Sequence, residues 1–233
     1  MKMGTVVRNL PRNTESELEA LSRYGVATVH EAMGRTGLMK PYMRPIYMGE
    51  RIAGNAVTVL AHPGDNWMLH VAAELCQPDD VLVVAVSADS TDGMFGELLA
   101  TSVNARGVVG LIIDAGCRDV AELTAMRFPV WSRAISAKGT IKATLGNVNT
   151  PVVCAGVLVH AGDVIIADDD GVVVVPHGVV AQTIADSEER LKKEEKKRAH
   201  LAAGELGMDI ENMRPKLEQL GLTYYDHLDQ VPD

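Results

Sequence analysis

The stretch GVVGLIIDAGCRD, residues 107–119, constrains this chain of 233 residues more than any other. Val108 to Ile113 is an uninterrupted apolar run with β-branched residues, which predicts a strand buried on both faces. A short glycine-containing loop then delivers Arg118 and Asp119 where that strand ends. A helix is expected over 120–126, stopped ahead of Pro129. Sheets built from such strands are open α/β sheets, and these place ligands beyond the carboxyl ends of their strands. An Arg–Asp pair there suits an anionic ligand and a metal ion. The same residues admit plainer uses. Asp119 and Glu122 stand in capping-box spacing, and Arg118 can be a solvated or ion-paired loop residue.

A hydrophobic content of 47% over this length supplies the core of one domain plus appendages. Aromatic residues make up only 4%, so Val, Ile, Leu, Ala and Met must fill the interior. The formal charge of −9 and a pI near 5.3 argue against a nucleic-acid partner, which requires a positive face. The opening MKMGTVVRNLPRN has no apolar core segment, so no signal peptide is expected. No apolar run approaches the roughly 20 residues that span a bilayer. Cys76, Cys117 and Cys154 are few, odd in number and scattered, which fits a reducing cytoplasm. Internal repeats and the Walker and Rossmann glycine patterns are absent from the sequence.

Residues 14–34 begin with Thr14 and Glu17 in capping-box spacing and run helically, with a break expected at Gly25. His30 and Glu31 are adjacent and do not share a helix face, so they read as structural. Residues 35–50 read as a loop. Residues 51–61 form a strand, with Gly54 as an expected bulge. A turn at His62 to Asn66 leads to a helix over 67–76, on which His70 reads as packed or solvated. The strand Val81 to Val86 follows, then a polar loop over 87–95.

Gly96 opens a helix over 97–106. The first amides of a helix lack internal partners and sit at the positive end of its dipole, so a small carboxylate or phosphate is favoured at Gly96, Glu97, Leu98 and Leu99. Glu97 reads either as a dipole-compensating acid or as a carboxylate at a site mouth. Residues 98–117 separate Glu97 from Arg118, about the length of one helix plus one strand. If the two strands are adjacent and parallel, both loops open on one sheet edge and these groups converge.

Residues 130–155 read as short strands and loops. Lys138 and Lys142 raise a Schiff-base possibility, but Lys138 stands in a polar stretch and looks solvated. Cys117 has no histidine near it in sequence to make it a nucleophile. Residues 157–176 form a hairpin whose turn, Asp168-Asp169-Asp170-Gly171, is a stronger turn signal than metal signal. A helix over 179–203 is on the order of 37 Å long at 1.5 Å per residue. Its second half, residues 188–198, has almost no apolar face and must project into solvent or lie on another subunit. The tail over 204–233 carries Leu206, Met208, Ile210, Met213, Leu217, Leu220, Leu222, Tyr224 and Tyr225. That apolar surface needs a docking site, so an oligomer with exchanged C-terminal arms is expected. The domain organisation expected is 1–178 as an α/β body and 179–233 as a helical arm.

The segments GELLATSVNARGVVGLIIDAGCRD, FPVWSRAISAKGT and VHAGDVIIADDDGVVVVP resemble the 4-hydroxy-4-methyl-2-oxoglutarate/4-carboxy-4-hydroxy-2-oxoadipate aldolases. These belong to a wider family with the RraA-type ribonuclease regulators. The resemblance runs from about residue 15 to the terminal DHLDQVP, and the long C-terminal arm is similar to the aldolases in particular. It implies a three-layer α/β/β sandwich assembled as a homotrimer or homohexamer. It also implies a divalent cofactor, Mg²⁺ or Mn²⁺, and retro-aldol cleavage releasing pyruvate, with secondary oxaloacetate decarboxylation, in aromatic catabolism. By the resemblance, pyruvate lies on the amides of Gly96 to Leu99, Arg118 binds its oxo and carboxylate oxygens, and Asp119 serves the metal. Glu194 of a neighbouring subunit's arm, or Glu195 in the other register, approaches the site. The family pattern often has Asp where this chain has Glu97, one methylene longer.

Such a cleavage needs a base for the C4 hydroxyl proton and stabilisation of the enolate left at C3. In this picture a divalent ion acts as the Lewis acid. Arg118 adds fixed positive charge, and Glu97 orients or accepts the proton through water. The contrasting expectation is a non-enzymatic regulator that binds a ribonuclease, in which Glu97 and Glu194 have no evident use.

Overall fold

The structure is a computed structural model and describes residues 2–232. Helix α1 (Glu15–Ser22) opens on the Thr14–Glu17 capping box, and Gly25 separates it from α2 (Val26–Ala32). A two-residue strand β1 (Arg44–Pro45) leads to β2 (Ile52–Ala61), α3 (Trp67–Leu75) and β3 (Asp80–Val86). The short β4 (Gly93–Phe95) precedes α4 (Glu97–Asn104), β5 (Gly110–Cys117), α5 (Val120–Ala125) and β6 (Val130–Ile135). Next come β7 (Asn147–Val148), β8 (Val152–Cys154) and β9 (Val157–Val159). The hairpin β10 (Val164–Asp168) and β11 (Gly171–Val175) turns at 168–171, and α6 (Val180–Ala202), α7 (Gly207–Ile210) and α8 (Arg214–Gln219) follow.

The main sheet runs β1-β6-β5-β3-β2-β10-β11. Its centre, β2, β3, β5 and β6, is all parallel, in register Val57↔Leu82, Leu82↔Leu111 and Leu111↔Val130. One face packs Val59, Val84 and Ile113 against Leu69, Ala100 and Leu123 of α3, α4 and α5. The opposite face packs Val83, Ile112 and Trp131 against Val159, Ile165 and Val174, because the antiparallel strands turn back over the parallel ones. Each such buried side chain contributes roughly 1.5–3 kcal/mol of apolar transfer energy. The expected α/β/β sandwich is what these layers form. Helices α1 and α2 back the outer side of β10 and β11 through Leu21, Val26 and Val29.

Two local expectations are corrected. Gly54 is not a bulge, since pairing with β10 runs unbroken through Ile165↔Gly54. Its role is close approach: a Cβ there would lie 2.8 Å from Val81 Cγ2. The loop expected over 87–95 contains β4, which pairs with the far end of β5 at Gly93↔Gly116 and extends β5 to Cys117.

The chain divides into two compact units, Met1–Ser187 and Glu188–Asp233, with the division inside α6. In the second unit, Leu206, Met213, Leu220, Leu222, Tyr224 and Tyr225 are solvent-exposed. Its part of α6 carries i,i+4 pairs such as Lys192–Glu188 and Lys193–Glu189, as a helix without an apolar stripe does. Among the described residues, no helix is long and apolar enough to cross a membrane.

Candidate active site

Strands β3 and β5 are parallel neighbours, so the segments that follow them leave the sheet at the same edge. They touch: the Glu97 N–H donates to Asp119 Oδ2 at 3.0 Å. A Cβ at Gly96 would collide with that same oxygen and lie 3.0 Å from Arg118 Cγ, so only glycine allows the two turns this close. The Arg118 N–H donates to the Phe95 carbonyl at 2.9 Å and locks the second turn to the first.

Asp119 does not cap its own helix. Its backbone is left-handed, φ 59° and ψ 42°, and the side chain makes no cap bond to α5. The capping box that the spacing with Glu122 offered as the plainer alternative is therefore absent. Aspartate is among the few residues that tolerate this conformation. The turn aims the carboxylate at the amino end of α4, where the helix dipole and an open amide favour it. Among the described residues, Asp119 Oδ1 accepts no hydrogen bond. The Arg118 guanidinium likewise donates none; its Nε lies 3.8 Å from Asp119 Oδ2. An arginine with its five N–H donors unspent, beside a half-used carboxylate, has capacity for a bound oxyanion.

Arg118, Asp119, Gly96, Leu98 and Leu99 line one cavity of about 120 Å³. The Leu98 and Leu99 N–H groups belong to the unpaired first turn of α4. Glu97 is not among the lining residues, and its N–H is taken by Asp119. The Glu97 carboxylate accepts a hydrogen bond from Thr101 Oγ1, one turn along α4, at 2.9 Å and does not line the cavity. Beyond the Arg–Asp pair lies a more open cavity of about 390 Å³, bounded by Val120, Ile135 and Ser136. Glu194 lies in the second unit, ion-paired at 2.8 Å with Arg190 one turn before it. Glu195 is exposed beside it.

The far wall of the smaller cavity includes Asn66, expected in a turn, His70, expected packed or solvated, and Lys142, raised by the sequence only as a Schiff-base candidate. Asn66 is 6% exposed; its Nδ2 donates to the Met94 carbonyl at 3.1 Å, while its buried Oδ1 has no partner among the described residues. Burial, and then the positive charge of Lys142, lower the His70 pKa, so its imidazole is neutral at pH 7. The i,i+4 spacing of Asn66 and His70, which puts both on one face at the start of α3, was the available signal. Nothing local marks Lys142.

Other candidates take structural places. Lys138 pairs with Asp92 at 2.9 Å in solvent. Cys117 is fully buried, and burial pushes its thiol pKa up, away from nucleophilic use. Asp168 belongs to the hairpin turn, where Oδ1 accepts the Asp170 N–H at 2.9 Å and Oδ2 the Val26 N–H at 2.9 Å. Among the described residues, no group of three or more His, Cys, Asp or Glu is placed to hold a metal. A single carboxylate in a polar cavity fits a hard divalent ion that keeps most of its water, and does not fit a zinc-type cage.

Residues 26–174 match the RraA-like family described as Aldolase/RraA, and the chain belongs to that family. It is 30% identical, over 76% of its length and 82% of the other's, to a Halalkalibacterium halodurans protein provisionally named 4-hydroxy-4-methyl-2-oxoglutarate aldolase. Among solved structures, it is similar to RraAS2 of Streptomyces coelicolor, described as an unusual member of the RNase ES inhibitor RraA family. That likeness has a TM-score of 0.72 and 26% identity, covering 81% of this chain and all of the other. A protein from Pseudomonas syringae shares the fold, with a TM-score of 0.76 at 22% identity over 84% of this chain and 92% of that one.

Proposed function

We propose that the protein is a divalent-metal-dependent lyase that cleaves 4-hydroxy-2-oxo acids by retro-aldol chemistry to release pyruvate. One observation carries this reading. Arg118, whose guanidinium donates no hydrogen bond among the described residues, Asp119, whose carboxylate is half-used, and Leu98 and Leu99, at the open amino end of α4, line a single small cavity. The aldolase name of the Halalkalibacterium halodurans relative points the same way.

In this reading, the C1 carboxylate of the substrate rests on the Leu98 and Leu99 amides at the positive end of α4. Arg118 faces the C2 oxygen, where negative charge develops as the C3–C4 bond breaks. Asp119 would hold a divalent ion, Mg²⁺ or Mn²⁺, which would supply Lewis-acid polarisation of the 2-oxo group. The C4 hydroxyl loses its proton and becomes the new carbonyl; the bonding pair passes to C3, which then takes a proton to give pyruvate. Glu97 accepts the hydroxyl proton through a water, because its carboxylate is tied to Thr101 outside the cavity lining. His70 is the competing acceptor, neutral and on the cavity wall, and Glu97→Gln against His70→Gln decides between them.

The far wall suits a substrate with a second carboxylate. Lys142 offers a point charge for it, which matches 4-carboxy-4-hydroxy-2-oxoadipate and 4-hydroxy-4-methyl-2-oxoglutarate. Oxaloacetate, which breaks at the same C3–C4 bond with CO₂ leaving, is the secondary substrate. We assign the exposed apolar surface of the second unit to docking on a neighbouring copy, whose Glu194 then approaches the open side of the site. The likeness to RraAS2 supports a second reading, a regulator of a ribonuclease, and that reading leaves the cavity without a task.

The deciding experiment is pyruvate release from these two 4-hydroxy-2-oxo acids with Mg²⁺, with and without EDTA. Metal-dependent pyruvate is the expected result. No pyruvate from either substrate, with binding to a ribonuclease instead, overturns it.

A further inference from the structure

Lys142 sits in an irregular segment between β6 and β7, and its side chain forms no hydrogen bond or ion pair with the described residues. Something else must fix where its charge points. The segment is stitched to the turn before α3 by main-chain bonds: Ile141 N–H to the Gly64 carbonyl at 2.9 Å, and Asn66 N–H to the Ile141 carbonyl at 3.1 Å. Inside that stitch lies Asp65, 1% exposed. Its Oδ2 accepts the N–H groups of Ala143 at 2.8 Å and Thr144 at 2.7 Å, the two residues that follow Lys142. Its Oδ1 accepts the Trp67 N–H at 2.9 Å, the first residue of α3.

One carboxylate thus binds both halves of the far wall. Asn66 and His70 stand on the helix that Oδ1 caps, and Lys142 stands on the segment that Oδ2 holds. A helix cap alone uses one acceptor, and Asn66, at the cap position itself, supplies none. The bonds to Ala143 and Thr144 exceed what capping needs. Burial by itself would raise the Asp65 pKa, but the three N–H donors outweigh it and hold the carboxyl below its usual range.

We infer that Asp65 is a positioning residue, which sets the distance of Lys142 from Asn66 and His70 and so selects substrates bearing a carboxylate on C4. The identity of the charge that Lys142 meets rests on the function proposed above. The geometry of the wall does not.

The test uses the full chain and two 4-hydroxy-2-oxo acids, one with a carboxylate on C4 and one with hydrogen there. Asp65→Asn is expected to raise KM about tenfold for the carboxylated acid, the scale of losing one oriented charge contact, with kcat nearly unchanged. The other acid should respond less than about twofold, within the scatter of a neutral change. Lys142→Met should give the same split, and the double variant should add nothing to it. Equal losses on both substrates, or additive effects in the double variant, overturn the inference.

Asp65→Glu keeps the charge but cannot meet both sets of amides, and it serves if the Asn variant does not fold. A second readout needs no turnover. In an NMR titration of the His70 C2–H, Lys142→Met should raise the His70 pKa, and Asp65→Asn should raise it too. A His70 titration that moves with Lys142→Met but not with Asp65→Asn also overturns the inference. Should the wild type release no pyruvate from either acid, the proposed function fails, and this titration alone decides the role of Asp65.

Discussion

Strand β5 carries two aspartates, Asp114 within it and Asp119 just beyond its end, and the two are used in opposite ways. Asp114 is saturated. Its Oδ1 accepts from Tyr42 Oη at 2.9 Å and from Arg133 Nε at 2.9 Å, and its Oδ2 accepts the Ala155 N–H at 2.8 Å. Arg133 also donates to Tyr42 Oη at 3.1 Å and lies over the Tyr42 ring, 4.6 Å from its centroid. Burial and the Asp114 bond push the Tyr42 pKa up to about 12, so the hydroxyl remains a donor at any physiological pH. Asp119 accepts one hydrogen bond, from a backbone amide, and its arginine neighbour forms only a long ion pair with it, at 3.8 Å, and donates it no hydrogen bond. Both pairs consist of an aspartate and an arginine. What separates structure from chemistry is how much of their bonding capacity the fold has already consumed.

The sharpest way to break this contrast is Asp114→Ala. It leaves the Ala155 amide and the Tyr42 hydroxyl without their acceptor and Arg133 with only the exposed Asp89 carboxylate at 3.2 Å, and should cost about 3–5 kcal/mol of stability, as the loss of one buried charge partner does. Thermal unfolding would show a fall of roughly 10 °C for a chain of this size. Arg118→Ala should do the reverse: an unchanged melting temperature and a loss of about 10²–10³-fold in turnover, the scale of removing one preorganised donor. Arg118→Lys should not restore it, because a point charge does not reproduce the guanidinium fork.

A finer separation comes from Asp119→Asn. Asparagine tolerates the left-handed backbone and still offers an acceptor to the Glu97 amide, so stability should change by less than about 1 kcal/mol. Metal-dependent activity should be lost all the same, which kinetics with titrated Mg²⁺ would show. The smallest effect concerns Asp65, a hydrogen-bonded carboxylate buried behind the wall of the site. Its folded pKa lies below the ordinary aspartate value. Its stabilisation is therefore complete above about pH 4 and is lost as pH falls through the folded value. Asp65→Asn should flatten the acid limb of a stability-against-pH curve and leave the neutral limb parallel to the wild type.

How far the sequence spoke depended on distance along the chain. The parallel strands were legible because Val81 to Val86 and Val108 to Ile113 are apolar without alternation, which only a doubly covered strand requires. The meeting of Gly96 with Arg118 and Asp119 was legible because one helix and one strand fit between them. The use of Asp119 was not: its capping-box spacing with Glu122 is a local pattern, and a left-handed turn redirected the carboxylate to another helix. Nor was the far wall. Asn66 and Lys142 are brought together by the main-chain bonds at Ile141 and the Asp65 carboxylate, and no spacing records them. Strand β4 escaped because it is three residues long and pairs only with the far end of β5, across a register shift.

The left-handed backbone at Asp119 has a consequence for altering this protein in the laboratory. In a saturation library at that position, Gly, Asn and Asp keep the loop intact, while Val, Ile and Thr add a steric penalty before any chemistry is tested. A loss of function with valine there reports the backbone, and a loss with asparagine reports the carboxylate.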